Sequence, residues 1–322
     1  MNKEMNLTEK EIVAGKEPVF LEDDFEPLPA NSLKADEIVR KPTTYAKDVW
    51  RSFRQNKIAL VCLVIMSLMV IMVLVGPLFN SYDYRTNDYA SMNQWPSAKH
   101  WFGTDNLGRD IWTRLWQGGR VSLFIAIVAT VIPEVIGWLI GGISGYFGGV
   151  VDMVIMRIID ILMGTPAMIF TILLMVVIGA GNVWTLVLAF SITGWLGSAR
   201  YTRGRVLQLK TMEYVMASKT LGASPMRIII RHLIPNTLNM SVISIAMGIP
   251  NVIFAEAFYS YIGLGIAPPS PSWGQMIKTA SEVFMQQPYQ FMFPCACVAI
   301  TMLCSNLIGD GLRDAMDPRL RT

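Results

Sequence analysis

The feature that most constrains this chain is the run from Ile161 to Ala199, 39 residues without a charge or a histidine. As helix it extends about 58 Å against roughly 30 Å of hydrocarbon, so it reads as two membrane spans. Gly179-Ala-Gly-Asn182 supplies the break between them. In hydrocarbon each backbone N–H and C=O has to be satisfied internally, which makes helix the natural state of such a run. Ile58–Phe79, 22 uncharged residues, is one further span of about 33 Å.

Carried along the chain, this reading predicts an all-α integral membrane protein with six spans, at about 58–79, 121–142, 155–178, 183–200, 237–259 and 289–308. The first 57 residues hold ten Lys/Arg and eleven Asp/Glu, with Pro27 and Pro29. Residues 1–45 therefore read as a solvated, flexible cytoplasmic extension, ahead of a membrane domain over 46–322. The first apolar run starts too late and runs too long for a cleaved signal.

Lys and Arg set the orientation. Cations crowd the entry to the first span (Arg40, Lys41, Lys47, Arg51, Arg54, Lys57), the 200–235 loop and the end of the chain (Arg313, Arg319, Arg321). Both termini are accordingly expected in the cytoplasm. Arg109, Arg114 and Arg120 run against this count from the outer side. Asp105 and Asp110 offset them, with Asp110 and Arg114 spaced as a helix-side pair.

Residues 200–235 form a loop that carries Arg200, Arg203, Arg205, Lys210, Lys219, Arg227 and Arg231 against the single acid Glu213. Its centre, Glu213 to Pro225, reads as a short helix stopped by Gly222. A helix held in a cytoplasmic loop suggests docking on a soluble partner.

Other signals have a structural reading beside a functional one. Gly137 and Gly141 lie four apart, a bare helix face on which a second helix packs closely, whereas Gly145 to Gly149 reads as a turn. Asp152, Arg157 and Asp160 follow that turn as interface charges, with Arg157–Asp160 as a helical pair. Glu134 and Glu256 fall within spans, where each either lines an aqueous path or bonds a neighbouring helix. Trp101 and Trp273 suit a membrane surface. Cys62, Cys295, Cys297 and Cys304 read as buried apolar filler.

No phosphate loop occurs: the one Gly-Lys pair, Gly15-Lys16, has Lys10 where the first glycine belongs. His100 and His232 are the two histidines, and no metal-binding or nucleophile–base constellation is visible. A channel filter or charge ring is equally missing. No basic stretch alternates with stacking aromatics, so nucleic acid is not expected as a partner.

Set together, the motifs resemble those of ABC importer permeases. The importer signature, Glu-Ala-Ala, three residues, Gly, nine residues, Ile-x-Leu-Pro, falls in register on Met216-Ala217-Ser218, Gly222 and His232-Leu233-Ile234-Pro235. Met216, Ser218, His232 and Ile234 depart from it. A closer resemblance is to the oligopeptide/dipeptide permease C subfamily. It rests on Phe102-Gly103-Thr104-Asp105-x-x-Gly108-Arg109-Asp110, Tyr214-Val215, Leu221-Gly222-Ala223, Ile262-Gly-Leu-Gly265, Pro271-Ser-Trp273-Gly274 and Gly309-Asp-Gly-Leu-Arg-Asp314.

The resemblance implies the type I importer permease fold in a bacterial plasma membrane. It also implies a non-catalytic subunit that pairs with a homologous permease, two cytoplasmic ATPases holding ATP and Mg, and an extracellular peptide-binding lipoprotein. The cargo would be peptide or, as in close relatives, nickel. ATPase coupling falls on Glu213, Tyr214, Met216, Ala217, Ser218, Lys219, Gly222, Ala223 and Pro225.

Overall fold

The computed structural model describes residues 44–317, apart from the side chains of Asn239 and Met240. The expected extension over 1–45 therefore lies almost wholly outside the described residues. Eleven α-helices and no strand occur among the described residues.

A short helix, α1 (Tyr45–Phe53), leads through Asn56 into α2 (Lys57–Val75). The Asn56 side chain accepts a hydrogen bond from the Ala59 N–H at 3.1 Å, so the first span starts on a formal cap. After the loop that carries Gly103–Asp110, α3 runs from Ile111 to Phe147, longer at both ends than the expected 121–142. It passes Pro133, Arg114 and Arg120 without breaking. Asp110 caps its start by accepting from the Thr113 N–H at 2.9 Å.

The largest departure from expectation lies at 155–178. This segment is not one rod: α4 (Gly149–Met163) and α5 (Ala167–Ile178) meet at a bend of 90°. Pro166 has no N–H to continue the ladder and biases Thr165 away from helix, so Gly164-Thr165-Pro166 ends one helix and starts the next. Hydropathy alone did not reveal this because the run stays apolar through the corner. The elbow borders a hollow lined by Leu162, Thr165, Pro166, Phe170, Thr193 and Leu196.

Beyond the Gly179–Asn182 break, α6 runs from Val183 to Leu209, continuing past the expected end at 200 into the cationic segment. Two short helices follow, α7 (Glu213–Thr220) and α8 (Pro225–Ile228). A π-turn over Ile229–Leu233 then leads into α9 (Ile234–Tyr261). The chain finishes with α10 (Trp273–Ser281) and α11 (Pro288–Met316). By length and apolarity, Lys57–Leu78, Ile111–Phe147, Ser241–Tyr261 and Pro288–Met316 can each cross a membrane, and the bent α4–α5 pair makes a fifth candidate; the expected sixth span, at 183–200, is not among these candidates.

The most extensive helix pairing is α3 with α6. A Cβ added at Gly137 would lie 2.5 Å from Ser198 Cβ, and one at Gly141 would lie 2.3 Å from the Ala199 carbonyl. Gly145, expected in a turn, belongs to the same stripe, its added Cβ 2.9 Å from the Arg203 carbonyl. The turn starts only at Gly148. Small residues thus let two backbones meet where lipid supplies no hydrophobic drive. The four cysteines are free thiols.

Candidate functional site

The 200–235 loop is anchored at its base before it projects. Arg203 donates to Asp152, and Arg200 donates to Asp160. The expected Arg157–Asp160 pair is replaced by these ties between α6 and α4. Lys210 Nζ donates to the Gly145 carbonyl at 3.0 Å, near the C-terminal end of α3 where the helix dipole favours a cation. Three of the loop's seven cations therefore hold its root.

Helix α7 is seated by one side chain. Val215 is buried among Val206, Ile228, Ile229 and Leu233, while Glu213, Tyr214, Met216, Ala217 and Lys219 are exposed. Met216 is 59% exposed and Leu221 87%. The helix ends in a Schellman turn: the Ala223 N–H donates to the Ser218 carbonyl at 3.1 Å, and the Gly222 N–H donates to Lys219 at 3.0 Å. Gly222 has φ +82°, the left-handed conformation this turn demands, and nothing lies within 4 Å of where its Cβ would be. Ser224 then caps α8, with Pro225 in its first turn. A short helix with a fixed stop presents an apolar tip in a cationic setting.

The motif residues expected on the outer face come together in one knot. Asp105 accepts from Arg109 Nε at 2.8 Å and lies 3.5 Å from Arg114 Nε. Arg114, nearly devoid of solvent contact, also donates to the Tyr84 carbonyl at 2.8 Å and to Gln275 at 3.2 Å. The expected Asp110–Arg114 pair does not form. Asp110 instead meets His100 Nδ1 at 2.9 Å and accepts from Asn80 at 2.9 Å. Thr104 donates to the Ser91 carbonyl. Gly103 is buried in the same loop.

Gly108 has φ +75°, and a Cβ there would stand 1.7 Å from the Asp88 carbonyl, so no other residue fits. Asp88 itself is steadied by the Ser91 side chain and the Ala90 N–H, which hold its carboxyl below the ordinary range. Asn80 did not stand out in the sequence, because it acts through Asp110, 30 residues away. Asp105→Ala is expected to strand two buried guanidinium groups and to lower stability by about 3–5 kcal/mol. A thermal midpoint in detergent checks this, with Asp105→Asn losing less because it still accepts from the Leu107 and Arg109 N–H groups.

The intramembrane acids have partners. Glu134 accepts from Ser198 at 2.7 Å and from Trp138 at 3.1 Å, which ties α3 to α6 and leaves it half-buried. Glu256 is 1% exposed and accepts from Ser272 at 2.7 Å, Ser260 at 2.8 Å and Ser122 at 3.1 Å. Of the two readings open for it, these contacts are those of a group bonded to neighbouring segments. Trp273, expected at a membrane surface, is fully buried and donates Nε1 to the Leu115 carbonyl at 2.9 Å. Gly274 lets α10 approach α9, its added Cβ lying 2.6 Å from Ala257 Cα. Trp101 does stay 46% exposed. Among the described residues no cluster of three or more His, Cys, Asp or Glu could hold a metal.

The fold and this arrangement define a helical membrane protein with several apolar helices long enough to span, and one short helix that roots in the core by Val215 and exposes the rest. The chain belongs to the binding-protein-dependent transport system inner membrane component family, whose model matches residues 135–322. The N-terminal transmembrane domain of oligopeptide transport permease C matches residues 44–96. It is 45% identical to the oligopeptide transport system permease protein OppC of Bacillus subtilis, over 92% of this chain and 97% of the relative. Identity to the dipeptide transport system permease protein DppC of the same organism is 43%, over 89% and 90%. A solved MetNI methionine ABC transporter chain overlays 63% of this chain and 96% of its own at 19% identity, with a TM-score of 0.49.

Proposed function

We propose that this chain is the permease subunit of a bacterial importer, carrying oligopeptides or dipeptides across the plasma membrane while separate ATPases supply the energy. The observation that carries the coupling role is α7: one buried root at Val215, a rigid Gly222 stop, and exposed Tyr214, Met216 and Leu221. A subunit without a phosphate loop has to receive work mechanically, and a capped helix passes on a rigid-body push that a loose loop would absorb. Relatives named as oligopeptide and dipeptide permeases support peptide as the cargo. The partners are a homologous permease, two ATPases and an external binding protein, with residues 46–322 as the membrane domain.

Vesicles holding the whole assembly test this reading. ATP-dependent uptake of a labelled peptide is expected and disappears on deletion of residues 212–224, with the chain still inserted. Nickel uptake that peptides fail to compete would overturn the cargo, and normal uptake by the deletion would overturn the coupling role.

A further inference from the structure

An apolar groove opens between α1, α2, α9 and α11. Trp50, Val49 and Phe53 line it from α1, and Leu63, Val242 and Leu312 face them. At 3.6 residues per turn, the apolar Tyr45, Val49, Trp50 and Phe53 share one side of α1, whereas Lys47 and Arg51 lie on the other with Asp48 beside Arg51, and Arg54 follows just past the helix end. Lys57 follows at the start of α2. All four cations are exposed. Among the described residues none of them pairs with a carboxylate. The Arg54 guanidinium carbon sits 5.5 Å from the Trp50 ring centroid, which places a cation at the lip of the groove. Across it, Asp310 and Asp314 fall on the side of α11 opposite the lining Leu312 and Met316. The groove is thus apolar inside, cationic at one rim and free of acid at its wall.

We propose that α1 and this groove bind an anionic phospholipid, with an acyl chain against Trp50, Leu63 and Leu312 and the phosphate held among Arg54, Lys57 and their neighbouring cations. A helix with one apolar and one cationic side lies in the plane of the membrane surface, its apolar side among acyl chains. Four Lys/Arg beside a span attract anionic headgroups. A zwitterionic lipid brings the same chain without net charge, so charge selectivity is what separates a site from ordinary lipid contact.

The complete transporter in phosphatidylcholine nanodiscs, doped with phosphatidylglycerol brominated on its acyl chains, tests the proposal. The Trp50-dependent quenching, taken as wild type minus Trp50→Phe, should saturate at a low mole fraction of the brominated lipid. Arg54→Gln with Lys57→Gln should raise the half-quenching fraction about 25-fold, since roughly 1 kcal/mol per cation is about five-fold each. Arg54→Lys should restore most of that loss. Equal quenching by brominated phosphatidylcholine would overturn the proposal, as would an unmoved half-point in the double variant. Absence of any Trp50-dependent quenching, the outcome if another protein chain fills the groove, would overturn it too. Competition by glycerol 3-phosphate would assign the cations to a free phosphate compound instead.

Discussion

Gly222→Val should cut peptide uptake at least tenfold, while Gly222→Asn should keep most of it. The contrast isolates the cause. Nothing crowds the position, so valine does not clash; it is opposed by the backbone, which holds φ at +82°. A left-handed conformation costs an L-residue roughly 1–2 kcal/mol, and more when it is β-branched, whereas asparagine visits it readily. An eight-residue helix has little stability of its own, so its stop and its Val215 root are what keep it formed. Each 1.4 kcal/mol shifts such an equilibrium about tenfold. Uptake by vesicles should therefore fall at least tenfold in the valine variant, with the thermal midpoint of the membrane bundle unmoved. An asparagine variant as dead as the valine one would locate the defect in a contact, not in the turn.

Glu256→Ala should be the most disruptive single change inside the bundle. Three serine hydroxyls from three parts of the chain converge on this carboxylate, and Ser122 also accepts from the Trp273 N–H at 3.1 Å. Removing the acceptor leaves those donors buried and unsatisfied, at about 1–3 kcal/mol each before relaxation. We expect a loss of about 3–5 kcal/mol, read as a fall in the thermal midpoint in detergent. Glu256→Gln still offers one oxygen to Ser260 and Ser272 and should lose much less. With Gln, the KM for peptide should stay at its wild-type value, because the group is enclosed by protein. A KM shift without a stability loss would return Glu256 to the path.

Much of this is legible in the amino-acid sequence. Apolar runs longer than a bilayer require helices, and the Gly179–Asn182 break, the Gly137/Gly141 face and the helix ending at Gly222 are local signals that act where they stand. What stayed hidden depends on partners distant in sequence. Glu256 looks like a costly charge until Ser122, 134 residues away, is known to meet it. Trp273 looks amphipathic until the Leu115 carbonyl is found under its indole. The elbow at Pro166 was masked by its own neighbours, since hydropathy sums composition and ignores a missing N–H.

That elbow also decides a question of parity. Positive-inside bias asks the cations ahead of α2 and those around α7 to share one face. Between these two points the chain has α2, α3, the bent pair and α6. With all four crossing, the count is even and α7 returns to the side from which α2 departed. Were the bent pair to dip in and leave by the same face, the count would be odd and α7 would emerge opposite its own charge. If α6 crosses as the 183–200 reading expects, a right-angled corner at Gly164 fits the charge pattern as a crossing with a step in it.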